Sequence, residues 1–183
     1  LLHKSGELYP NNFYLKVKKA EMMIKDGNLA EAKNILNEIL LSSEELGRSV
    51  YEEAIRLEGE IYLKEGKEEL AWERFKKLIE YYIEDGKEEE AINILIKFKD
   101  VAPVECRKRL IEMYRADGED DKVFNELLEL AEIRKEYGEV EEALKAYQEA
   151  LSIKPDDREL EERVAELQMQ QVRPLEEKRE EVE

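Results

Sequence analysis

Residues 52–85 read EEAIRLEGEIYLKEGKEELAWERFKKLIEYYIED. Apolar side chains recur every three to four residues on either side of Gly66, the period of an amphipathic helix. A glycine past a helix end can take the left-handed conformation that other residues resist. The acids that follow it, Glu68 and Glu69, suit the positive end of a second helix. The stretch therefore reads as helix, tight turn, helix. Counted from Glu52, it places Gly59, Tyr62, Gly66, Ala71 and Phe75 at positions 8, 11, 15, 20 and 24. Residues 124–157 repeat the spacing. There Leu127, Leu130, Ala131, Gly138, Ala143, Tyr147, Ala150 and Pro155 stand at positions 4, 7, 8, 15, 20, 24, 27 and 32.

The same punctuation runs along the chain. KDGNLAEA, KEGKEELA, EDGKEEEA, ADGEDDKV and EYGEVEEA surround Gly27, Gly66, Gly86, Gly118 and Gly138. Alanine follows the glycine by five residues at Ala32, Ala71, Ala91 and Ala143; Val123 replaces it after Gly118. This predicts nine helices, near 10–26, 28–43, 48–65, 67–85, 87–100, 103–117, 119–137, 139–153 and 156–172. Short connections require antiparallel neighbours. Pro103 and Pro155 start or precede helices, where a missing N–H costs little. Asp156 and Asp157 are expected as caps, and Asn28 with Glu31 has capping-box spacing. Pro174 is expected to end the last helix, leaving a charged, frayed tail.

Small residues at positions 8 and 20, an aromatic at 24 and proline at 32 resemble the tetratricopeptide repeat (TPR), a helix–turn–helix unit of about 34 residues. Residues 13–46 match more weakly through Ala20, Met23, Gly27, Ala32 and Leu36. Residues 72–105 also fit, through Phe75, Leu78, Tyr82, Gly86, Ala91, Leu95, Phe98 and Pro103, and overlap the first frame. Strict alternation places first helices near 13, 52, 88, 124 and 158. That gives four pairs and a terminal helix, the third pair being irregular. The resemblance implies an all-α fold, an α-solenoid of antiparallel helix pairs wound as a right-handed superhelix. It covers residues 10–172, with a flexible leader over 1–9 and a charged tail over 173–183. Small residues such as Ala71 and Ala143 let the two helices of a pair approach closely, and each pair leans on the next.

Composition narrows the function. Of 183 residues, 42% are hydrophobic and 42% charged, threonine is absent, and only eight of the 47 acids are Asp. That favours helix over strand. A net charge of −17 argues against nucleic acid and anionic membranes as partners. No apolar run reaches the roughly 18 residues of a membrane span, and no signal peptide is visible. A cytoplasmic location is the resulting expectation. Cys106 stands alone, which excludes an internal disulfide. The chain begins at Leu1, as a fragment or processed chain would. Abundant Glu and Lys with four Gln suggest a thermophile.

Residues that could carry chemistry have plainer readings. His3 lacks a partner that would make it a base or zinc ligand. Arg107, Lys108 and Arg109 could activate the Cys106 thiol, but a structural thiol is the simpler reading. Glutamate runs lie in first turns or on solvated faces. Trp72 and the tyrosines sit at packing spacings. No phosphate-binding glycine loop occurs. Glu180, Glu181, Val182 and Glu183 look like the acidic tail that some TPR domains bind, yet differ at the last position. No cofactor, metal or catalysis is expected.

What remains is surface. The resemblance implies that first helices line a concave face through positions 2, 5, 6, 9, 12 and 13. Here these gather Val17, Leu57, Ile92, Ile96 and Leu128 with Lys18, Arg56, Lys99 and Asn93 and with Glu21, Glu60, Glu129 and Glu132. Exposed apolar groups bordered by charge mark interaction surfaces; the same apolar residues could instead be core between adjacent first helices. The family's carboxylate clamp is not reproduced, since only Asn93 fits it. The expected function is a non-catalytic scaffold binding a partner segment with apolar anchors and positive charge. The alternative is an architectural spacer or assembly domain of a longer protein.

Overall fold

In the computed structural model residues 12–42 and 47–180 are described, with side chains through Met169. The leader with His3 and residues 181–183 lie outside the described residues. Nine helices occur among the described residues: α1 Phe13–Lys25, α2 Leu29–Leu41, α3 Arg48–Lys64, α4 Glu68–Glu84, α5 Glu88–Lys97, α6 Pro103–Ala116, α7 Asp120–Glu136, α8 Val140–Ile153 and α9 Arg158–Glu180. No strand is present among them.

Five glycine turns set this pattern. Gly27, Gly66, Gly86, Gly118 and Gly138 all have φ between 67° and 83°, a region closed to most side chains. At each, the residue after the glycine donates its N–H to the carbonyl five residues earlier. Asn28 bonds Met23 at 2.8 Å, Lys67 bonds Tyr62 at 2.9 Å and Glu139 bonds Arg134 at 2.8 Å. This is the Schellman closure of a helix end. The residue that closes one helix is also the N-cap of the next. Its own carbonyl accepts the first bond of the new helix from Ala32, Ala71, Ala91, Val123 or Ala143. All five are at most 1% exposed. The residue five after the glycine, alanine in four cases and Val123 in the fifth, is thus buried in the first turn of the helix that follows.

The capping box at Asn28 does not form, and its side chain makes no cap hydrogen bond. In such a box Glu31 would bond the Asn28 N–H. That N–H is already taken by Met23. Among the described residues, two helices that no glycine turn precedes carry side-chain caps: Asn12 accepts from Leu15 at 3.2 Å, and Asp157 accepts from Leu160 at 3.1 Å. Pro103 opens α6, as expected. Pro174 does not stop α9, which runs on to Glu180. A proline removes one backbone bond but need not end a helix, and Leu175, Glu176, Glu177 and Lys178 beyond it are good helix formers.

The chain divides into two compact units, meeting in sequence between Ile94 and Leu95 within α5. In the first, α1 packs on α2, α3 on α4, α2 on α3, and α1 on α3. One cluster runs through Val17, Ala20, Ile24, Leu36, Ile39, Ala54, Leu57 and Ile61. Positions 8 and 24 explain the closest approach. A Cβ on Gly59 would lie 2.8 Å from a ring carbon of Phe75. The same two positions hold Ala20 and Leu36 in residues 13–46.

In the second unit α6 packs on α7, α7 on α8, and α8 on α9. Ala131 and Tyr147 occupy positions 8 and 24 there, both buried. The end of α9 that meets α8 presents Leu160, Val164 and Leu167, all buried. Cys106 is the small residue of the irregular third pair. Its N–H bonds the carbonyl of the N-cap Ala102, as the alanines do elsewhere, and it is fully buried. Its thiol donates to the Phe98 carbonyl at 3.4 Å. Burial pushes the thiol up to about 11, against the pull of Arg107 and Arg109. It is a packing residue, not an activated nucleophile. Ala71→Leu and Ala143→Leu, which overpack these seams, are each expected to cost about 1–3 kcal/mol in denaturant unfolding.

Candidate interaction surface

The first helices carry ladders of charge because Glu and Lys recur at helical spacing. On α1, Glu21 takes Lys18 at 2.9 Å and Lys25 at 2.8 Å. These two ammonium groups hold the Glu21 carboxyl down to about 2, Lys25 contributing most. On α3, Arg56 clasps Glu53 through two bonds of 2.7 and 2.8 Å and also meets Glu60. Arg56 holds the Glu53 carboxyl below its usual range.

Between α1 and α3 lies an open groove of about 400 Å³, reaching the end of α4 and the start of α5. Tyr14 and Lys18 line it from α1, Val50, Glu52 and Glu53 from α3, and Tyr82, Lys87 and Glu90 from the far end. Tyr14 is 60% exposed. Lys18 sits 6.0 Å over the Tyr14 ring and Lys87 sits 5.6 Å over the Tyr82 ring, a cation–π distance in each case. Two aromatic side chains thus stand among five charged ones in its lining. This composition suits an apolar side chain with a polar border.

The residues singled out in the sequence divide. Lys18 lines the groove. Glu21, Arg56 and Glu60 lie beside it in the ladders above. Val17 and Leu57 are 2% and 1% exposed and belong to the core. They are not surface, because α1 packs against α3 and closes over them. On α5, Ile92 is half-buried, Asn93 exposed and Ile96 47% exposed.

In the second unit Lys99 pairs with Glu126, a buried carboxylate. Arg107 stands 3.9 Å from Glu126 and 3.5 Å from Glu129. Leu128 is half-buried. Glu132 accepts from the Tyr147 hydroxyl and faces Arg163 of α9 at 3.3 Å. The Tyr147 bond leads in holding the Glu132 carboxyl below its usual range. Lys99 and Glu132 therefore tie helices together, and less of their charge is left for a partner.

Sequence reasoning missed Tyr14, although it stands at position 2 of residues 13–46, one of the face positions. It also missed Tyr82, which the frame over 72–105 placed among packing residues. Among the described residues no cluster of His, Cys, Asp and Glu could hold a metal, and no helix is long and apolar enough to cross a membrane.

No family model matches the chain, and no curated protein does. Solved structures do. One is a putative kinesin light chain of Podosopora anserina with nearly identical TPR-like repeats, 16% identical over 90% of this chain and 98% of that one, at a TM-score of 0.35. Another is a thermophilic TPR protein of Thermus thermophilus, 20% identical over 86% and 99% of the two chains, at a TM-score of 0.29. The fold is all-α, and its likeness to the TPR repeat rests on the chain itself. Its signature lies in this chain's own residues: Schellman turns at position 15, small residues at 8 and 20, and a large one at 24.

Proposed function

We propose that the chain is a non-catalytic protein-interaction scaffold whose first unit holds a segment of a partner protein. The observation that supports this is the open groove walled by Tyr14 and Tyr82. The segment carries an apolar anchor for the two tyrosines and positive charge. The charge preference follows from the net −17, which acts at long range whatever the local pairing. Local ion pairs such as Glu21 with Lys18 leave little for a direct salt bridge, so charge steers encounter more than it holds the complex. Ile92, Asn93 and Ile96 on α5, and Leu128 and Glu129 on α7, are further candidate contacts.

Affinity capture from the source organism supplies the partner, and titration calorimetry then measures it. Tyr14→Ala is expected to weaken binding by about tenfold or more, as loss of an aromatic hot spot does, with unfolding unchanged because the ring is exposed. Added salt is expected to slow association more than it speeds dissociation. Unchanged affinity in Tyr14→Ala would move the contact off this groove. A chain that captures no partner would favour the architectural reading.

A further inference from the structure

A second groove, of about 340 Å³, lies in the first unit between α2, α3 and α4. Glu58 lines it, although its side chain is only 1% exposed. Its carboxylate lies 2.7 Å from the Arg74 Nε and 3.3 Å from a terminal Arg74 nitrogen. Arg74 itself is 34% exposed, so the guanidinium spans from the buried acid to the open groove. Lys77, one helical turn further along α4, is exposed, and no acid pairs with it among the described residues. Facing these cations are Leu40, Leu41 and Ile55, of which Leu41 is 87% exposed.

The ion pair is not what the fold needs there. Glu58 and Arg74 stand at register positions 7 and 23. The same positions of residues 124–157 hold Leu130 and Ala146, 7% and 6% exposed. These line the corresponding groove of the second unit, between α6, α7 and α8. A buried ion pair is seldom more stabilising than the apolar pair that could replace it. What Glu58 and Arg74 add is a guanidinium held rigidly at a groove mouth, beside a lysine and an exposed leucine.

We propose that this groove is a second docking site, separate from the Tyr14 groove, for an amphipathic helix of a partner protein that carries leucine-like anchors and carboxylates. The apolar side chains lie on Leu40 and Leu41, above the buried Ile55, and a carboxylate bridges Arg74 and Lys77. Local charge complementarity selects this occupant: Arg74 and Lys77 outnumber the one carboxylate of Glu58 in this groove, which sets it apart from the rest of a chain of net −17.

The probe is a fluorescein-labelled amphipathic helix peptide built from Leu and Glu, with a twin in which Lys replaces Glu, followed by anisotropy with the full chain. The Leu–Glu peptide is expected to bind saturably and more tightly than its twin. Lys77→Glu and Leu41→Ser, both at exposed positions, are each expected to weaken it about tenfold, the effect of one charge-assisted contact or one anchor. Tyr14→Ala is expected to leave it unchanged, which separates this site from the first. The proposal is overturned if the Leu–Glu peptide does not bind, if the twin binds equally, or if both groove variants keep full affinity. Self-association abolished by Leu41→Ser would also overturn it, by assigning the face to a second copy.

Discussion

Gly59→Leu is expected to lower stability by about 3 kcal/mol or more, the upper end of what overpacking a helix seam costs. The reason is geometric. Even a Cβ would meet Phe75 at 2.8 Å, and α3 and α4 pack directly along this line. Phe75 is itself 6% exposed, so its ring has little room to withdraw. Gly59→Ala should cost less than Gly59→Leu, because a small shift of the ring accommodates one methyl. Urea unfolding followed by circular dichroism measures both. A Leu variant as stable as the parent would mean that the two helices are not seated as described.

The second large effect concerns Glu58 and Arg74. Arg74→Ala alone is expected to cost about 3 kcal/mol, since it leaves a buried carboxylate without its counter-charge. The double variant Glu58→Leu with Arg74→Ala reproduces the Leu130 and Ala146 pair of the second unit. It is expected to recover all of that loss and to equal or exceed the parent. Chemical denaturation of the three variants decides it. If the double variant is as unstable as Arg74→Ala, the ion pair contributes structure that an apolar pair cannot supply. The double variant should also lose the Leu–Glu peptide, because the guanidinium that receives the carboxylate is gone.

Much of the fold was legible because its signals are local. A glycine turn, an acid-rich first turn and an inward alanine lie within a few residues of one another, and Gly27, Gly66, Gly86, Gly118 and Gly138 all behave as read. Cys106 was read as a structural thiol and is buried as one; only its equivalence to the alanines escaped, because no glycine turn precedes α6. The Asn28 capping box was misread because sequence spacing does not reveal that the backbone donor is already used. Pro174 was read as a stop when the strong helix formers after it carry α9 onward.

The surface was less legible, since it depends on which helices touch. Val17 and Leu57 have the register of an exposed face but are covered where α1 meets α3. Lys99 and Glu132 have charges that looked available to a partner and are spent on Glu126 and on Tyr147 and Arg163. Glu58 and Arg74 are 16 residues apart on different helices, and no sequence signal pairs them.

Site-specific photocrosslinking maps where the partner segment lies. A benzophenone amino acid is placed at Tyr14, and separately at Asn34, an exposed position on α2 outside both first-unit grooves. With a partner obtained by affinity capture, position 14 is expected to crosslink to one short segment of that partner, rich in apolar and basic residues, and position 34 to none. Crosslinking from position 34 with none from position 14 would contradict that placement.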